Sequence, residues 1–457
     1  MSSSNGTTSE LGNLSPATTS TVPDDRYAEA VLDARLGREA RDVLEATVVL
    51  EAWTGRPAKR AMGHARRLVS LDGPTPRAMS DLDPFDDSSQ HSVVAEGVAL
   101  VLLILSVAAW ASPISKQLGP NVLSNAIRVA LPIAVALQWG LRSRYLSRPE
   151  GLECLARDGV PVLLWCLILF DLPLLLFHGW GPVAAMLVPV WVGGTVITMR
   201  GWGLLYAGIL VVGTVAMVRA VDPYIVLGSL AGITLLICLA AVGSVSAKTD
   251  MRAGSLHRAV LAGLIGGLIG IMLVADPSLG WGVHGLHPAI ALLPSAIGSF
   301  WGGYYLWNFY DAVPRGLRGV PLLGASRIAL SDPAMSIFVG GIARLLGATI
   351  VLSAIVIGVG HWTHGTDAAS VFVAFGFVGL LCLLVGLLEA FSLYRAALIA
   401  TAAGLAIELV WRSAMHPTVP GGALAAGAAV AVMLSLPVLL IRLARSGGVL
   451  ATTLWIQ

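Results

Sequence analysis

The sequence predicts an all-α, polytopic membrane protein of about 12 transmembrane helices in two six-helix halves, preceded by a small cytoplasmic helical segment. Three observations predict it. The 457 residues are 56% hydrophobic and only 12% charged, with a mean hydropathy of +0.79, more apolar surface than one aqueous core can enclose. Twelve apolar stretches have roughly the 20-residue length that crosses a bilayer. The loops between them carry their arginines and lysines on alternating sides.

Residues 1–23 are rich in Ser, Thr, Gly and Pro and bury too little apolar surface to order, which predicts a disordered tail. The polar opening lacks a basic region followed by an apolar one, so no cleaved signal peptide is expected. From Asp24 the pattern becomes helical. Asp24 or Asp25 can cap a helix, and Ala28, Val31, Leu32, Leu36, Ala40, Val43 and Leu44 recur at helical spacing. Gly55 and Pro57 break the run before PAKRAMGHARRLVSL. Residues 24–71 thus read as a helical hairpin, and with the linker after it form a cytoplasmic segment over 24–90. Two roles stay open for it, a solvated cap or a docking site for a cytosolic partner such as a glycosyltransferase.

The membrane stretches run over 92–113, 120–141, 159–178, 181–199, 201–219, 223–247, 257–275, 286–310, 335–360, 368–389, 394–412 and 421–443. The split between the fourth and fifth rests only on Arg200 and its neighbouring glycines. A cytoplasmic N-terminus places Arg142, Arg144, Arg148, Arg157, Arg200, Lys248, Arg252, Arg258, Arg315, Arg318, Arg327, Arg395, Arg442 and Arg445 inside. Only Lys116, Arg219 and Arg412 fall outside. Both termini are therefore expected in the cytoplasm.

Pro120–Gly179 joins an apolar helix with one arginine to one with an aspartate through a basic linker. A similar arrangement returns at Pro288–Gly360. Two halves over 91–256 and 257–457 follow, each divided two plus four and facing the same way, with a central cavity expected between them.

Few residues here can carry chemistry. Arg128 and Arg344 lie inside apolar helices, where an arginine costs roughly 2.5–3.5 kcal/mol and so needs a partner or a watery cavity. Asp171 and Glu408 are the available counter-ions. Internal salt bridges are one reading. A cationic cavity for an anionic substrate is the other, since arginine donates two hydrogen bonds to phosphate or carboxylate oxygens.

Trp301, Tyr304, Tyr305, Trp307 and Asn308 read either as an interfacial belt or as a sugar-stacking platform or gate. The histidines of HGLH and HWTH, His284, His287, His361 and His364, have metal-compatible spacing, but no acidic or cysteine ligand completes a site, so no metal is assigned. Gly263, Gly266, Gly267 and Gly270 form overlapping GxxxG spacings, a close-packing device. Pro132, Pro173 and Pro294 mark bends. The four cysteines show no framework spacing. With no Gly-Lys pair, no HExxH and no paired acids on an external loop, no cofactor, enzymatic activity or nucleic-acid partner is expected.

The linker RSRYLSRPEGLECLARDGVPVLL resembles the segment after the second helix in the multidrug/oligosaccharidyl-lipid/polysaccharide (MOP) exporter superfamily. ASRIALSDPAMSIFVGGIARLLGATIVL and HPTVPGGALAAGAAVAVML resemble later segments of the same superfamily, and the likeness covers about residues 92–445. The polysaccharide-flippase or Pel-type exopolysaccharide-exporter branch fits the length. The resemblance implies alternating access, with the halves rocking about a central cavity to move a cell-envelope or extracellular polysaccharide, or its lipid-linked precursor, across a bacterial cytoplasmic membrane. The partners it implies are membrane lipid and an anionic or lipid-linked glycan. Arg128, Arg344, Asp171 and Glu408 would line the cavity. The alternatives are a non-transporting scaffold of a glycan-synthesis complex and a small-molecule efflux transporter.

Overall fold

A computed structural model describes residues 43–54, 58–69, 87–146, 151–158, 160–244, 255–276, 366–415 and 419–444, with isolated positions at 28–32 and 292–362. It divides into two units, residues 1–85 and 86–457. In the first, α1 (Val43–Thr54) packs against α2 (Ala58–Leu68) around Ala46, Leu50, Ala61 and Ala65.

All the regular secondary structure among the second unit's described residues is helical. Its helices are α3 (Asp87–Leu118), α4 (Val122–Leu141, continued by a π turn over Arg142–Leu146), α5 (Gly151–Asp158) and α6 (Val160–Asp171, continued by a 3-10 turn over Leu172–Leu176). Then come α7 (Trp180–Met199), α8 (Gly203–Val218), α9 (Pro223–Gly243), α10 (Leu256–Ala275), α11 (Thr366–Ala390), α12 (Tyr394–Met415) and α13 (Gly422–Ala444). Eight of them are long and apolar enough to cross a membrane, and the segments Cys166–Leu176 and Gly203–Val218 are shorter apolar helices. These ten match ten of the expected stretches. The expected helices at 286–310 and 335–360 are described only at isolated positions, which do not trace either helix.

Local sequence explains the boundaries. Pro173 lacks a backbone N–H and crowds the preceding turn; here α6 ends at Asp171 and the chain tightens into 3-10 geometry instead of running unbroken to 178, whereas Pro132 is accommodated inside α4. The split after α7 is real, because Gly201 takes a φ of +84°, the left-handed conformation that ends helices. Asp222 caps α9, accepting from Tyr224 N at 2.8 Å with Pro223 in the first turn.

Packing falls into two groups. In the first, α3 packs on α8, α7 on α9, and α4 on α7; in the second, α12 packs on α13, α11 on α13, and α10 on α12. Polar side chains tie the first group. Trp110 Nε1 donates to Thr214 Oγ1 at 3.0 Å, Gln138 Nε2 to the Trp191 carbonyl at 2.8 Å, and Tyr206 Oη to the Val190 carbonyl at 2.8 Å. The groups meet mainly along α4 and α10.

Glycines make that seam. A Cβ on Gly266 would stand 2.8 Å from the Val135 carbonyl, one on Gly270 2.6 Å from Pro132 Cα, and one on Gly263 3.2 Å from the Ala136 carbonyl. The expected small-residue stripe therefore does pack backbone to backbone.

Candidate functional site

The seam fixes a register. Gly263 faces Ala136 and Gly270 faces Pro132, so α4 and α10 run antiparallel and Arg128, one turn beyond Pro132, stands level with about Val274. On the other flank of α10, Arg412 Nη1 donates to the Ala275 carbonyl at 2.7 Å. That places Glu408, one turn back along α12, at a similar level. Arg128 and Glu408 are each six residues from the end of their spans, which run Val122–Tyr145 and Tyr394–Ala414, or about 9 Å inward.

Asp171 is at the same end. It closes α6 just before the 3-10 turn, whose Leu174 lies against Gly181 in the first turn of α7. The structure thus brings Arg128, Asp171 and Glu408 to one end of the bundle but does not join them. Arg128 is half-buried with no hydrogen bond or ion pair among the described residues. Asp171 Oδ1 is buried without a hydrogen-bond partner. Glu408 is 0% exposed and both its carboxyl oxygens lack partners. Arg344, Trp301, Tyr304, Tyr305, Trp307 and Asn308, and the four loop histidines, lie outside the described residues.

Charges the sequence reading did not group complete the picture. Asp276, 3% exposed at the end of α10, and Arg412 are close enough to act electrostatically on Glu408. Arg412 also satisfies one of the last carbonyls of α10, which have no partner within the helix. In sequence Asp276 looks like an ordinary loop acid after an apolar run; its burial comes from packing alone.

At the opposite end a second contact crosses between the groups. Arg142, in the π turn, acts electrostatically on Glu389 at the end of α11, and Ser143 Oγ lies 3.5 Å from Tyr394 Oη at the start of α12. Glu389 Oε1 is itself buried without a hydrogen-bond partner.

Chemically, a carboxyl enclosed between apolar helices without hydrogen bonds is costly to hold charged. It can exchange a proton or receive a cationic group. Among the described residues no cluster of three or more His, Cys, Asp or Glu side chains could hold a metal ion.

No protein-family model matches the chain, and no curated protein matches it. Among solved structures it is similar to the eukaryotic MATE transporter AtDTX14, at 13% identity over 82% of this chain and 100% of that one, with a TM-score of 0.45. It is similar to a multidrug resistance MATE family transporter of the MOP superfamily in an outward-facing conformation, at 14% identity over 78% and 96% with a TM-score of 0.42. A MATE in the bent conformation is similar at 11% identity over 80% and 97%, with a TM-score of 0.39. Likenesses at these scores do not themselves define this chain's fold; its helices do, and they make it a multi-pass membrane protein.

Proposed function

We propose that this chain is a membrane transporter working by alternating access, which exports a cell-envelope polysaccharide or its lipid-linked precursor. One observation carries the reading. Arg128 and Glu408 stand at one end of a seam between two helix groups, with Asp171 at the same end of the bundle, all in apolar helices and without forming ion pairs among the described residues. Charged groups that merely glued helices would be paired. Groups held apart at such cost have a ligand to meet, and an arginine without an ion pair among the described residues suits the phosphate or carboxylate of an acidic or lipid-linked glycan. The seam between α4 and α10, with a charged contact near each end, supplies the element about which the groups rock.

The test is a deletion strain complemented with the wild type, Arg128→Ala or Glu408→Gln. Loss of a surface polymer with accumulation of its polyprenyl-linked precursor, unrescued by either variant at normal membrane abundance, is the expected outcome. Unchanged glycan and precursor pools, with raised accumulation of small cationic or aromatic compounds, would replace glycan export by small-molecule efflux. Full rescue by both variants would remove the site.

A further inference from the structure

The first unit carries a charged face that transport does not use. α2 turns Ala61 and Ala65 toward α1, and both are 0% exposed. Arg60, Arg66 and Arg67 are exposed, and the helical period of about 100° per residue gathers them opposite those alanines. Gly63 falls in the middle of this basic face. A Cβ built on it meets nothing within 4 Å, so the face is open. Arg67 also places Nη2 3.0 Å from His64 Nδ1, at the edge of the face.

Since the apolar stripe of α2 is already spent on α1, the helix has no second apolar face with which to insert or to fill a groove. What it offers is an exposed row of guanidinium groups, and its complement is an extended surface of fixed negative charge. The chain itself supplies one nearby. Val69 is separated from Asp87, where α3 begins, by residues 70–86 only, and α3 continues into the first membrane span. Even fully extended, that connection reaches only about 60 Å. A weak charge attraction to the bilayer then acts within one molecule at high effective concentration, an advantage no freely diffusing nucleic acid or protein shares.

We propose that the basic face of α2 docks on anionic lipid headgroups of the leaflet on the side of the N-terminus. Arginines near such a surface each strengthen binding by about fivefold, and the attraction fades beyond roughly 10 Å in ordinary salt. Docking therefore depends on lipid charge and on ionic strength.

The experiment uses the full chain in nanodiscs, with a fluorophore on Gly63→Cys and nitroxide-labelled headgroups as quenchers. Quenching is expected in phosphatidylglycerol discs at low salt. It should disappear at about 0.5 M salt and be absent in phosphatidylcholine. Arg60→Gln with Arg66→Gln should lower the docked-to-undocked ratio by about 25-fold. Should that variant fail to fold, the lipid and salt comparisons still decide the matter with both arginines intact. Equal quenching in both lipids, or quenching indifferent to salt, would overturn the proposal. So would a face that stays away from phosphatidylglycerol and loses its exposure only when RNA or a cytosolic protein is added.

Discussion

Glu408 lies against Gly427 so closely that a Cβ on the glycine would stand 2.8 Å from Glu408 Cβ. The glycine's missing side chain is what lets α13 close over the acid and remove it from view. Gly427→Ala is expected to lower stability by about 1–3 kcal/mol, the usual cost of overpacking, read as a lower Tm in detergent. An unchanged Tm would mean that α12 and α13 separate without penalty.

Replacing Glu408 itself separates stability from function. Glu408→Leu removes two buried oxygens that lack partners, and an unsatisfied buried polar group costs about 1–3 kcal/mol. The variant should melt higher than the wild type yet fail to complement a deletion strain. Glu408→Gln should also fail to complement, with little change in Tm. A leucine variant that complements fully would reduce Glu408 to a passive occupant of the interface.

Two neighbouring glycines of the α10 stripe should behave differently. On Gly267 a Cβ meets Ala136 Cβ at an ordinary 3.5 Å, whereas on Gly270 it meets Pro132 Cα at 2.6 Å, with backbone that cannot step aside. Gly267→Ala is expected to be tolerated within about 0.5 kcal/mol, and Gly270→Ala to cost about 1–3 kcal/mol. Thermal unfolding of the pair measures this directly; equal effects would show that the seam is not fixed at Pro132.

Arg412→Ala removes the donor to the Ala275 carbonyl. Because Arg412 is exposed, water replaces much of what is lost, and a cost of only about 0.5–1.5 kcal/mol is expected. Hydrogen exchange should rise in the last turn of α10 and stay unchanged at its start. A uniform rise along α10 would point to global loosening.

The positions of the helices were legible because crossing a bilayer demands length and apolarity, both written directly in the chain. Breaks were legible where backbone chemistry forces them, as at Gly201 and Pro173. Lateral order was not. α7 and α12 are both apolar runs, yet most of α7 is enclosed and most of α12 is not, since in lipid the outward face is as greasy as the inward one and no periodicity separates them. For the same reason Arg128, Asp171 and Glu408 stood out as charges in apolar text, while the common level of Arg128 and Glu408 along the seam did not. Asp276 and Glu389 escaped notice because an acid at the edge of an apolar run looks solvated until packing covers it. Arg412, an exception to the rule that places basic residues inside, is explained by the helix end it caps.

The shortness of α8 carries a mechanical consequence. Its 16 residues rise only about 24 Å, against a hydrocarbon core of about 30 Å, while α6 gains reach where its end unwinds into a 3-10 turn of larger rise per residue. Lipids beside α8 have to dip toward Trp202 and Arg219 at its two ends. The protein thereby deforms its own solvent on one flank, and its stability should depend on the acyl-chain length of the bilayer that holds it.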